Sequence, residues 1–163
     1  MTELSAIRFV VFDFDGVFTD NRVWTNERGE ESVACWRGDA LGLRRLTEVG
    51  VEHLILSTEV NEVVSARARK IDAACIQGVA DKAPVLREEI ERCGVSLAET
   101  AYLGNDVNDA SCLELVGLPV VPADAWPEVV PLAQLVLERR GGYGCVRELC
   151  DAVWNAKRAV EAA

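Results

Sequence analysis

Two carboxylates only two residues apart, Asp13 and Asp15, stand at the end of an apolar run in the stretch IRFVVFDFDGVFTD, Ile7 to Asp20. Acids this close repel one another unless a cation or a shared proton offsets the repulsion, so the pair reads as a metal or acid/base site. The plainer alternative is that they end a strand and cap the turn that Gly16 opens. Further on, the chain supplies groups that complement them: a hydroxyl at Ser57, followed by Thr58 and Glu59; a lysine at Lys82; and the run Gly104-Asn105-Asp106-Val107-Asn108-Asp109. That run carries four carboxylate or amide side chains within five residues, more than turn chemistry alone explains.

The elements that must position these groups follow from hydrophobic patterning. Ile7 and Phe9 to Phe12 predict a central strand buried on both faces of a parallel sheet. A two-residue period would point Asp13 and Asp15 the same way at the strand's C-terminal rim, where open α/β sheets bind ligands. Arg22 to Thr25 and Glu31 to Trp36, around the turn-rich Asn26 to Glu30, predict a β-hairpin flap over about residues 21–36 that stands above the carboxylates. Its tryptophans, Trp24 and Trp36, need cover, either from a neighbouring subunit or from this chain's own body.

Asp39 is placed to cap a helix running to about Val49, with Gly50 as its stop. Val51 to Leu56 predicts a second strand and Asn61 to Lys70 a helix, between which Ser57 can donate to a phosphoryl oxygen or merely cap the helix. Arg67 and Lys70, three residues apart on that helix, share a face. With Glu59 they form a second layer, in which the two cations could receive a substrate carboxylate unless they are only a solvated surface. Strands near 74–77, 101–103, 118–121 and 135–137, with helices at about 83–93, up to 116 and 145–159, complete an alternating pattern. It predicts a single domain over residues 1–163, a three-layer Rossmann-like α/β sandwich with a central parallel sheet and no large cap domain.

Composition narrows the function. With 17 basic against 27 acidic residues the net charge is -10, which argues against nucleic-acid partners. No apolar stretch reaches the ~20 residues of a membrane span, and the N-terminus has no signal-peptide pattern, so the expected location is cytoplasmic. The six cysteines, scattered without a Cys-x-x-Cys pair, read as reduced thiols, and the one histidine, His53, as structural.

The order Asp-x-Asp-Gly-Val-x-Thr-Asp, then Ser57, Lys82 and Gly104-Asn105-Asp106-x-x-Asp109 resembles the haloacid dehalogenase superfamily. It is most similar to the capless branch that contains 3-deoxy-manno-octulosonate 8-phosphate phosphatases, nonulosonate 9-phosphate phosphatases and the C-terminal domains of some acylneuraminate cytidylyltransferases. The resemblance implies a magnesium-dependent phosphatase for sugar acid phosphates that works through an aspartyl-phosphate. Asp13 is then the nucleophile and Asp15 the acid/base, Ser57 and Lys82 bind phosphate, and Asp13, Asp15, Asn105 and Asp106 supply the metal site. It also implies a homotetramer in which neighbouring subunits complete the site, with Glu59, Arg67 and Lys70 recognising the sugar acid. Glu59 follows the nonulosonate pattern, because the octulosonate branch typically carries arginine there. The Arg139-to-Glu148 segment matches the family's Gly-Gly-x-Gly-x-x-Arg-Glu pattern at Gly141, Gly142, Gly144, Arg147 and Glu148. Two positions depart from the pattern: Thr58 replaces a glycine, and Asn105 replaces an aspartate expected at the metal. These departures keep open a second reading, a catalytically weakened tetramerisation module. A phosphoacceptor receiver domain also places acids at strand ends beside a lysine, but the Asp-x-Asp spacing and the hairpin speak against it.

Overall fold

The computed structural model describes residues 3–162. Strand β1 (Phe9–Phe12) is buried along its whole length, as its unbroken apolar sequence requires. It pairs in parallel with β4 (Glu52–Leu56) on one side and β6 (Thr100–Leu103) on the other. With β5 (Ala74–Ile76), β7 (Leu118–Val121) and β8 (Leu135–Val136), the parallel sheet has the order β5-β4-β1-β6-β7-β8. The chain builds outward from β1 through β4 and β5, then crosses over to lay down β6, β7 and β8. Strand order therefore switches direction at β1, and the crevice beyond its C-terminal end is where such sheets bind ligands.

Alternate residues of β1 enter two separate cores, as a pleated strand demands. Val10 and Phe12 pack with residues of α1 (Asp39–Glu48), α2 (Val63–Lys70) and α5 (Cys145–Glu161). Phe9 and Val11 face α3 (Lys82–Arg92) and α4 (Ala110–Leu115). The result is the three-layer sandwich that the alternation predicts. All six cysteines are free thiols. Among the described residues no helix is long and apolar enough to cross a membrane.

The hairpin is present but brief. β2 (Trp24–Thr25) and β3 (Glu31–Ser32) pair antiparallel over two residues each, and Trp36 lies beyond the ladder. Trp24 is 72% exposed and Trp36 42%, so this chain alone does not cover them.

Two local expectations are corrected. Helix α2 opens at Val63 rather than Asn61, because the Asn61 side chain accepts the Val63 N–H and the Glu59 carboxylate accepts those of Val60 and Asn61, holding a turn instead of a helix. Asp39 does not cap α1 either: Gly38 occupies the N-cap, and no side chain caps it. The Asp39 carboxylate is buried and neither oxygen finds a hydrogen-bond partner. Burial pushes it up to about 7, against the pull of the Arg147 backbone and of the Arg67 and Arg147 charges.

A carboxyl raised in the folded state binds its proton more tightly there than in the unfolded chain. Its contribution is most favourable below the unfolded value of 3.8 and is lost as pH rises to about 7. Asp39→Asn should therefore be more stable than the native protein at pH 8 by at most a few kcal/mol, since each tenfold change in proton affinity is worth ~1.4 kcal/mol. The difference should shrink toward pH 4 in denaturant midpoints, and an equal difference at both pH values would contradict the burial of an ionisable Asp39.

Candidate active site

The strand pleat does not continue through the acid pair. After Phe12 the Asp13 N–H still bonds to the Leu103 carbonyl, at 2.9 Å, but the Phe14 carbonyl then accepts the N–H groups of Val17, Phe18 and Thr19 and closes a turn. Asp13 and Asp15 nonetheless line one cleft of about 200 Å³, together with Ser57, Thr58, Asn105 and Asp106, at the ends of β1, β4 and β6. Asn21 and Asn108 complete its rim.

Asp13 sits at the bottom of this cleft. Its Oδ1 accepts a hydrogen bond from Lys82 Nζ at 2.7 Å, and the same ammonium donates to Asp109 Oδ1 at 2.8 Å. All three side chains are buried. Burial and the Asp109 charge raise Asp13 to about 7, and Lys82 pulls against both. Burial disfavours the Lys82 ammonium, but the two carboxylates outweigh that and raise it. Lys82, expected to touch phosphate, lies beneath Asp13 with no exposed side-chain surface, so in this structure its contacts are the two carboxylates.

Asp15 is half-buried and has a different environment. Thr19 Oγ1 donates to Asp15 Oδ1 at 3.3 Å. Burial first, then the Glu59 and Glu31 charges, raise Asp15, while Thr19 and Lys82 oppose the rise. Glu59 and Glu31 lie in an adjoining cleft of about 210 Å³ that shares Asp15 and Asn21 with the first and is also lined by Arg22, Val33 and Val63. Ser57 Oγ accepts the Glu59 N–H at 3.1 Å, which leaves its own proton free to be donated into the cleft.

One end of the Asn105 side-chain amide stands 2.8 Å from the Asp15 carbonyl oxygen and 3.3 Å from Asp13 Oδ2. Both neighbours are acceptors, so without a cation the amide turns its NH2 that way. With a cation between them, the amide oxygen takes that place. Oxygens about 3 Å apart fit the edges of an octahedral shell of ~2.0–2.1 Å radius, and a carboxylate, a peptide carbonyl and an amide oxygen are the hard donors magnesium prefers. Among the described residues, no three His, Cys, Asp or Glu side chains are grouped to hold a metal, so any such site depends on this mixed set. Asp106 lines the cleft but commits Oδ1 to the Val107 N–H at 2.7 Å, as the cap of a short 3-10 turn.

Arg67 and Lys70 do not reach the cleft. Helix α2 runs back from the sheet's C-terminal edge at ~1.5 Å per residue, which carries Lys70 about 10 Å away from its first turn. Arg67 instead donates to the Trp36 carbonyl at 3.0 Å. Asp109, whose role the sequence pattern leaves open, accepts from Lys82, from the Tyr102 hydroxyl at 2.6 Å and from the backbone of Asn105 at 2.9 Å. Thr19 and Tyr102 join the site as well, although neither is a candidate on sequence grounds. The Thr-Asp that closes the first motif is a signal for Thr19; nothing local marks Tyr102, whose partner is seven residues on.

No model of a known protein family matches the chain. It is 31% identical over 164 aligned residues to the 3-deoxy-D-manno-octulosonate 8-phosphate phosphatase KdsC of Salmonella typhi, covering 100% of this chain and 87% of that protein. Its fold is similar to that of an HAD family hydrolase from Streptomyces avermitilis, with a TM-score of 0.89 and 42% identity over 92% of this chain and 86% of that one. It is also similar to 3-deoxy-D-manno-octulosonate 8-phosphate phosphatase from Moraxella catarrhalis in complex with magnesium, phosphate and the sugar acid KDO, with a TM-score of 0.91 and 26% identity over 98% and 92% of the two chains. A relative more than 30% identical along the whole of this chain shows the family, and the chain belongs to the KdsC family of haloacid dehalogenase phosphatases, the branch without a cap domain.

Proposed function

We propose that this protein is a magnesium-dependent phosphomonoesterase for a sugar acid phosphate, acting through an aspartyl-phosphate on Asp13. The observation that carries this reading is the buried Lys82 ammonium, which fixes one oxygen of Asp13 and leaves the other facing the cleft. Asp13 attacks phosphorus in line with the leaving sugar oxygen, and water then hydrolyses the acyl phosphate. Asp15, whose carboxyl is held above its ordinary value by burial and neighbouring acids, gives its proton to the leaving oxygen and later takes one from the attacking water. Ser57 donates to an equatorial phosphoryl oxygen, and Lys82 keeps the charge of Asp13 from repelling the phosphate. Magnesium, held by Asp13, the Asp15 carbonyl and Asn105, with Asp106 at the rim, would supply charge neutralisation between carboxylate and phosphate.

Glu59 and Glu31 make the adjoining cleft acidic. It suits the hydroxyls of a polyol chain, which donate, and repels the substrate's carboxylate. This favours a nonulosonate 9-phosphate over an octulosonate 8-phosphate, in line with the family resemblance, which implies an arginine in place of Glu59 for the octulosonate branch. The carboxylate is met by Arg67 and Lys70 of a neighbouring copy in a homotetramer, whose contact also covers Trp24 and Trp36.

The test is magnesium-dependent phosphate release from octulosonate 8-phosphate, a nonulosonate 9-phosphate and an aryl phosphate. Selective turnover of the nonulosonate ester is expected, with none for Asp13→Asn. A protein inert toward all three would favour the assembly-module reading that Asn105 invites. Asn105→Asp restores a negative charge and should tighten magnesium binding about tenfold or more, by ~1.4 kcal/mol per factor of ten, measured by titration calorimetry without substrate. Unchanged affinity would remove Asn105 from the metal shell. Light scattering should give four times the 17.8 kDa chain mass, and Lys70→Ala should raise KM at unchanged kcat. A monomer with native KM would refute the shared site.

A further inference from the structure

The turn that carries Asp15 is shaped by a segment more than a hundred residues away. Within the turn, the buried Thr19 hydroxyl donates to Asp15 Oδ1 and accepts the N–H groups of Gly16 at 3.2 Å and Asn21 at 3.1 Å. The direction of the Asp15 carboxyl therefore depends on the shape of residues 14–20. Behind them lies the glycine-rich corner that precedes α5. The Gly142 N–H donates to the Val17 carbonyl at 3.0 Å, and the Cys145 thiol donates to the same oxygen at 3.2 Å. A Cβ at Gly141 would overlap the Gly16 carbonyl oxygen, and one at Gly142 would overlap the Asp20 nitrogen. Gly142 also has a φ of +73°, so a side chain there is strained in any case. Gly141 has no such backbone need: its approach to Gly16, and to the Thr19 carbonyl oxygen that a Cβ would meet at 3.1 Å, is what requires a glycine. The corner is itself pinned, since Asp124 Oδ1 accepts the Gly141 N–H at 2.8 Å and Asp124 Oδ2 accepts from Arg140 Nε at 3.3 Å.

We propose that Gly141 and Asp124 are positioning residues for Asp15, acting through Gly16 and Thr19 to aim its carboxyl at the leaving oxygen. The proposal rests on the reading of Asp15 as the general acid. In that step the bond from Asp13 to phosphorus forms as the bond to the sugar oxygen breaks. The departing electron pair stays on that oxygen and takes the Asp15 proton. A sugar alkoxide needs this proton, whereas p-nitrophenolate leaves without it.

The discriminating experiment uses the full chain with magnesium and compares Gly141→Ala, Asp124→Ala and Asp15→Asn in single-turnover release of alcohol. The substrates are the preferred sugar acid phosphate and p-nitrophenyl phosphate. General-acid catalysis is typically worth ~10²–10⁴-fold, so Gly141→Ala should slow sugar release by about tenfold or more and p-nitrophenol release by less than about threefold. Asp124→Ala should show the same selectivity at smaller size, and it alone decides the matter if Gly141→Ala does not fold. Equal slowing of both substrates by these variants, with Asp15→Asn still selective, would reduce the corner to packing and overturn the proposal. Loss of selectivity in Asp15→Asn itself would overturn the assignment of Asp15, and this proposal with it.

Discussion

The site depends on one buried ammonium. Lys82 lies between Asp13 and Asp109, and without it two carboxylates would be left in a water-poor interior; deleting one partner of such a buried pair typically costs ~3–5 kcal/mol. The arrangement also ties three parts of the chain together, because Asp13 follows β1, Lys82 opens α3, and Asp109 holds the loop after β6 through the Asn105 backbone. Charge and geometry are thus set by the same contact: Asp13 cannot be displaced without also disturbing the loop that carries Asn105. A lysine serves better here than an arginine, since a compact point charge can reach two oxygens from below while leaving the cleft above free.

The layers and the central place of β1 follow from features that a single sequence displays. The unbroken apolar run of β1 and the alternation of strand and helix suffice for the parallel sheet, and the Asp-x-Asp at the end of β1 for the position of the cleft. Ser57, Asn105 and Asp106 are legible because each follows a strand closely, and strands of a parallel sheet end on one rim. The distance of Arg67 and Lys70 from this chain's own cleft is not, because a shared helix face says nothing about distance from that rim. Asp39 misleads for a related reason: its residue type suits a cap, but tertiary burial places it one position inside the helix. Tyr102 is invisible because its meaning lies in what it touches, the carboxylate of Asp109, and the glycine pattern marks Gly141 without telling that its neighbour is the carbonyl of Gly16.

Asn105 shows how a neutral substitution can preserve a shape while changing its electrostatics. Its amide spans the Asp15 carbonyl and the Asp13 carboxylate from either end, by donating or, with a cation present, by ligating. An aspartate at the same place would repel both neighbours without a cation and would favour metal with a full charge. On that reading the amide would give up cation affinity for a cleft that is self-consistent in both conditions, a balance reached with one atom's difference.

The glycine corner against the first turn also bears on when the enzyme comes into being. Asp13 directly follows the first strand of the sheet, yet the wall behind the turn after it is formed by residues 141–145 and is carried by α5, which packs along α1. A ribosome has released most of these residues' predecessors before that wall exists, and contacts so distant in sequence are among the last to form. In a nascent chain, or one clipped before residue 141, the Val17 carbonyl and the backbone around Gly16 would lack these partners. The fold in effect leaves the turn that carries Asp15 without its outer support until α5 has been made.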